Sequence, residues 1–206
     1  MWNDLSSEWK KTFEQAWRAF QNGSVPIGAI ITDGAGNVII SGRNERWEKR
    51  YPNKRTAHAE MYCVRNLDIE KYPDLSEYHL YTTMEPCPMC MGTIVMGGMR
   101  KVHVAAKDKY CGALHYIDLD PFMRCKKMEV YLEQGELEAV QIAQQGYHEL
   151  KRYNGEKSNV LKQFETACPK SIEVATRMYQ ERYLDKCVKN DIPYCEVYDY
   201  ICGLLK

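Results

Sequence analysis

The sequence has no net charge to offer: 28 lysines and arginines stand against 28 aspartates and glutamates. That balance excludes an arginine-rich nucleic-acid binder of the histone kind and leaves room only for a local basic patch. No apolar run approaches the roughly 18–20 residues of a membrane span. The start, MWNDLSSEWKK, lacks the basic-then-apolar order of a secretory signal. The expectation is a soluble, cytoplasmic chain with no membrane partner. An even set of cysteines is also missing. Nine of them without an export signal read as thiols and metal ligands rather than a disulfide framework. There is no internal repeat and no low-complexity tract. At 45% apolar and 27% charged residues the composition is that of a globular protein, which excludes bulk disorder. A length of 206 residues gives one domain, or one domain with an elaborated end.

What is present reads as alternating elements. Ser6 or Ser7 caps a helix whose Trp9, Phe13, Trp17 and Phe20 recur every three or four positions, and Gly23 closes it. A hairpin follows, with strands over 25–32 and 38–41 around a turn at 33–37. Residues 43–55 read as a long loop with six basic residues, two acids, Trp47 and Tyr51. The pattern then predicts a helix from Ala57 to about Leu67, a strand at 79–83, and a short helix at 89–96 with Pro88 near its start. Strands at 101–106 and 128–132 and a helix at 136–151 follow. The alternation from 58 to 106 implies crossover connections and a sheet covered by helices on both faces. Isolated Cys63, Cys125 and Cys187 read as small buried hydrophobes.

Cys87 and Cys90 ask for more. Two residues separate them at the start of a helix, where free backbone N–H groups favour thiolate and one turn brings both sulfurs to the same side. With the imidazole of His58 they make three soft-to-borderline donors, which suits tetrahedral zinc. A structural site is usually closed by four ligands, so three point to catalysis on a metal-bound water. Glu60, two residues from His58, can face that water without binding the metal. A carboxylate there takes a proton from the water and delivers one to a leaving amine. The chemistry is hydrolytic deamination.

His58-Ala59-Glu60 with Pro86-Cys87-Pro88-Met89-Cys90 reproduces the paired motif of zinc nucleobase deaminases. Over roughly residues 5–152 the chain resembles the cytidine-deaminase-like superfamily, in the branch of bacterial tRNA adenosine deaminases and guanine deaminases. Val25-Pro26-Ile27-Gly28-Ala29, Asn44, Thr56-Ala57 and Glu85 belong to the resemblance. It implies a three-layer α/β/α fold with a mixed five-stranded sheet, and a homodimer. It also implies Zn2+ held by His58, Cys87 and Cys90, with Glu60 as the proton shuttle. Asn44 matches the asparagine that bonds the substrate, and Ile27, Ala57, Glu85 and Asp108 match positions around the pocket. His115, in the loop after the fourth strand, is a candidate pocket residue; His79, His103 and His148 read as plain histidines.

For the substrate, Val104-Ala105-Ala106 and Asp118-Leu119-Asp120-Pro121-Phe122 look closer to guanine deaminases than to the tRNA-acting enzymes. Residues 1–130 hold 18 basic against 16 acidic residues, little excess for gripping RNA phosphates. The first expectation is therefore a deaminase of a free nucleobase or nucleoside. The alternative is a tRNA-specific adenosine deaminase, for which the basic loop with Trp47 and Tyr51 speaks. A non-catalytic zinc-stabilised module is the third reading.

The deaminase domain is expected at 1–153 and a helical extension at 154–206, packed on the core or on a partner subunit. Ile172, Ala175, Met178 and Tyr179 recur at helical spacing, as do Ile192, Cys195, Tyr198, Ile201, Cys202 and Leu205. The extension's aromatics either thicken the core or close over the pocket mouth as a lid.

Overall fold

The computed structural model describes residues 1–206. Its centre is a five-stranded sheet of order β2-β1-β3-β4-β5. The strands are β1 (Gly28–Thr32), β2 (Val38–Arg43), β3 (His79–Thr82), β4 (Lys101–Val104) and β5 (Glu129–Leu132). β1 runs antiparallel to β2 and β3, whereas β3, β4 and β5 are parallel. The sheet is mixed, as the resemblance implied.

Helices cover both faces. α2 (Ala59–Arg65) and α3 (Pro88–Met96) bury Cys63, Met91, Ile94 and Val95 against Ile31, Leu80 and Val102. α1 (Ser7–Gln21) and α6 (Glu136–Arg152) lie on the other side. α1 approaches β1 so closely that a Cβ on Gly28 would stand 2.2 Å from the Thr12 carbonyl oxygen. Glycine is required there because the two backbones touch.

Two short helices were not expected between β4 and β5: α4 (Tyr116–Leu119) and α5 (Pro121–Cys125). Asp120 caps the second, its side chain accepting from the Met123 N–H at 2.9 Å, and Pro121 occupies the first helical position. Cys125 lies exposed on α5, with its thiol directed at the Phe122 carbonyl, so it is not the buried hydrophobe expected. Cys63 and Cys187 are buried.

The last quarter of the chain forms α7 (Asn159–Ala167), α8 (Pro169–Gln180), α9 (Tyr183–Lys189) and α10 (Tyr194–Leu205). Leu184, Tyr194, Tyr198 and Ile201 share one core with Phe13, Trp17 and Phe20 of α1 and Tyr147 of α6. Phe164 packs with Met84, Ala106 and Ile142. Each such burial removes enough apolar area from water to stabilise the fold by about 1.5–3 kcal/mol. The lid reading of these aromatics is corrected here: their rings face the core or one another, and none lines the pocket described below.

Candidate active site

The site forms where β3 hands over to α3, beyond the carboxyl end of a strand, the usual ligand position in open α/β sheets. His58 and Cys87 are the N-cap residues of α2 and α3, both extended, and neither uses its side chain to cap its helix. Their donor atoms are therefore free. The expected helix from Ala57 starts later, and His58 sits ahead of its first turn rather than within it. Cys90 is the third residue of α3 and Glu60 the second of α2, so both helix N-termini direct their positive ends at the cluster.

His58 Nδ1 is 3.7 Å from Cys87 Sγ and 3.5 Å from Cys90 Sγ, and the two sulfurs are 3.6 Å apart. All three donor atoms lie within 4.8 Å of one another. Two sulfurs and one imidazole nitrogen at this spacing fit zinc, one ligand short of a closed structural site. Charge is already arranged for it. A hydrogen bond from the Cys90 thiol and the nearby His58 pull the Cys87 pKa down to about 4, so this sulfur is thiolate at neutral pH. The same pairing, with burial, pushes the Cys90 thiol up. Burial pulls His58 down, but the Cys87 hydrogen bond and the Glu60 charge outweigh it and leave His58 raised. Zinc takes the place of the protons that these groups share.

Glu60 is 3% exposed, and burial raises its pKa. Its Oε1 accepts from the Thr82 hydroxyl at 3.0 Å, and its Oε2 lies 3.6 Å from Cys90 Sγ. Strand alternation puts Thr82 on the same face as Leu80, under α2, where it meets this carboxylate. A raised carboxyl beside a metal site is suited to taking up and releasing a proton.

His58 opens on a cavity of about 510 Å3 that also gathers Ile27, Asn44 and Asp108. Asn44 is fixed through backbone and side chain: its N–H donates to the Ile27 carbonyl at 2.9 Å, and its Oδ1 accepts from the Arg46 N–H at 3.0 Å. The other expected residues stand around this cavity rather than in it. Ala57 lines a neighbouring pocket with Arg43, Arg50 and Tyr62. Glu85 and His115 line another, behind Asp108. Glu85 is a staple, its two oxygens accepting from the Asp108 and Leu114 N–H groups at 3.1 and 3.0 Å. It thereby holds the loop after β4.

Several residues of the cavity were not foreseen. Gln145, Glu149 and Arg152 come from α6 and Tyr153 caps its end, Tyr110 and Cys111 come from the loop after β4, and residues 156–160 form one wall. A signal existed for α6: Gln141, Gln144, Gln145, His148 and Glu149 put buried polar side chains where an apolar stripe belongs. Ser158 ties the wall to α6 by donating to Glu149 Oε2 at 2.6 Å.

Residues 4–106 match the model of the cytidine and deoxycytidylate deaminase zinc-binding region. The chain belongs to this family. It is 36% identical over 111 residues to a tRNA-specific adenosine deaminase of Haemophilus influenzae, covering 51% of this chain and 62% of that protein. It is 31% identical over 102 residues to a cytosine deaminase of Candida albicans, covering 48% and 64%. The chain thus spans less than two thirds of either relative. A structure solved in a study of A-to-I editing by tRNA:A34 deaminases aligns with a TM-score of 0.52 and 29% identity, over 61% of this chain and 91% of that one. No helix is long and apolar enough to cross a membrane.

Proposed function

We propose that this zinc deaminase acts on adenosine in RNA, converting it to inosine and releasing ammonia. The carrying observation is the 510 Å3 cavity, which Arg46 and Arg152 line without a carboxylate partner, whereas Arg43, Arg50 and Lys157 are each paired. Unpaired guanidiniums beside a base-sized cavity suit a substrate that carries phosphate. The relatives named as tRNA deaminases support the same reading. The expectation of a free nucleobase or nucleoside becomes the second reading. In its favour, the wall formed by residues 156–160 closes one side of the mouth.

Zinc, when bound, polarises and acidifies a water and so supplies the nucleophile at neutral pH. The chain's residues do the rest. Asn44 orients the base through its side-chain amide, and the walls from Ile27 and α6 keep it in place. Glu60 takes a proton at a carboxylate oxygen and gives it up to the departing amine, with Thr82 holding the carboxylate in position.

An ammonia-release assay on bases, nucleosides, nucleotides and tRNA tests the proposal. Release from tRNA with weak release from free bases is expected, and the reverse order rejects the RNA reading. A homodimer belongs to the same proposal. Met91, Ile94 and Val95 of α3 are buried against the sheet, which leaves Met96, 73% exposed, to meet a twin chain. A monomer mass by light scattering at micromolar concentration rejects it.

A further inference from the structure

A second cavity of about 340 Å3 lies beside the first and shares Arg152 with it. Its walls are Phe20, Gly23, Trp47, His148, Lys151 and Arg152. Trp47 is 45% exposed, unlike Trp9 and Trp17, which are in the core. It is not a loose side chain, because its backbone N–H donates to the buried Ser24 hydroxyl at 3.1 Å. Two guanidinium carbons lie over its ring, Arg46 at 5.3 Å and Arg152 at 4.8 Å. Neither arginine has an acidic partner, whereas Arg43 and Arg50 a few residues away both pair with the buried Glu45. His148, 6% exposed, lines the same slot, and its Nε2 finds no hydrogen-bond partner in the chain.

We infer that this slot holds the nucleotide next to the target: its base stacks on Trp47, and the phosphate joining it to the target base is held by Arg46 and Arg152. The inference rests on the RNA reading above and narrows its substrate to a strand of at least two nucleotides. A cation over an indole is a weak attachment, and phosphate is a stronger, charge-assisted partner for a guanidinium. A phosphate arriving between the two cavities draws both arginines off the ring. The ring surface they leave is then open to a base, which stacks on it whatever its identity. The slot's volume lies within the range of small-ligand pockets. The geometry also separates the roles of the basic loop. Its Arg43 and Arg50 are tied to Glu45, while Arg46 lines the first cavity and Trp47 the second.

The test uses the full-length zinc-loaded protein with an adenosine-containing RNA trinucleotide and with tRNA. Trp47→Ala should lower kcat/KM on both by about tenfold or more, the size of one lost stacking contact. Trp47→Phe should restore most of the loss. Arg152→Gln should flatten the dependence of log Kd on log salt by about 0.7, one phosphate contact on a single strand. Trinucleotide should also quench the fluorescence that the wild type has in excess of Trp47→Phe. A wild type that binds and deaminates the RNA, with a folded Trp47→Ala variant doing so equally well, overturns the slot and leaves the RNA reading standing. A wild type that neither binds nor deaminates any RNA overturns both.

Discussion

The Thr82 hydroxyl lies 3.0 Å from Glu60 Oε1 and 3.1 Å from the Met84 carbonyl oxygen, between two acceptors with one proton to give. When Glu60 is charged, Thr82 donates to it. When Glu60 carries a proton, that proton can be donated to Thr82 Oγ1, and the hydroxyl turns to Met84. The carboxyl is thus held in one orientation in both of its protonation states, which a shuttle needs. Thr82→Val should leave zinc content intact and lower kcat about 10- to 100-fold, the range for a hydrogen bond to a charged group. Thr82→Ser should recover it, and Glu60→Ala should lose at least about 10²-fold with the metal retained. A valine variant with wild-type kcat would remove Thr82 from the mechanism.

Metal retention depends on the cluster rather than on the fold around it. With three protein donors within 4.8 Å, replacing one leaves two. Cys87→Ser also removes the thiolate that is present before zinc arrives. The purified variant should hold far less than the expected content of about one zinc per chain. Elemental analysis after dialysis decides it, and tightly held zinc at the wild-type level would reject this ligand set.

The cluster of His58, Glu60, Cys87 and Cys90 was legible because each half of it is local. Cys87 and Cys90 are one helical turn apart and His58 and Glu60 two residues apart, so each half is read from its spacing, and the paired motif joins the halves across 29 residues. The walls of the cavity were not legible, because Gln145, Glu149 and Arg152 reach it from 85 or more residues beyond His58. Helical spacing in the tail foretold apolar faces but not what they face. The aromatics that suggested a lid lie against Phe13, Trp17 and Met84. For α5 the sequence does carry the signal, Asp120 as cap followed by Pro121.

Gly112 shows how the loop after β4 depends on Glu85. A Cβ at this position would stand 2.3 Å from Glu85 Cδ and 2.5 Å from the Asp108 carbonyl oxygen. Gly112→Ala must therefore push the staple off the Asp108 and Leu114 N–H groups. We expect a loss of about 1–3 kcal/mol in stability, as for an overpacked site. Activity should fall with it, because Asp108, Tyr110 and Cys111 line the cavity. Urea denaturation together with the ammonia assay reads both effects.

His148 makes the protein sensitive to acid. Burial, with Arg152 and Lys151 nearby, lowers its pKa to about 4 in the folded chain, against about 6.5 when unfolded. Between those values the unfolded chain binds the proton and the folded one does not, so stability falls as pH drops from 6.5 to 4. The full difference is on the order of 3 kcal/mol. Comparing urea midpoints at pH 7 and pH 5 for wild type and His148→Asn isolates this group. The variant should lose less on acidification, and equal losses would place the sensitivity elsewhere.

The tail offers the last prediction. If it were an appendage or a lid, removing residues 156–206 would leave a folded deaminase with altered kinetics. Its burial argues otherwise. Tyr194 stacks on Trp17 at 5.6 Å, Tyr198 meets Phe13 edge-on at 5.5 Å, and the Tyr194 hydroxyl donates to Gln144 of α6. Truncation would bare Phe13, Trp17 and Tyr147 together, a patch too apolar for a soluble surface. The truncated chain should therefore fail to fold. A single substitution keeps the question quantitative. Phe164, 1% exposed, packs with Met84, three residues ahead of Cys87. Phe164→Ala should cost about 3–5 kcal/mol, lowering Tm before any effect on the zinc ligands themselves. A truncated chain that folds with a Tm near that of the full protein would show that the core of the deaminase ends before α7.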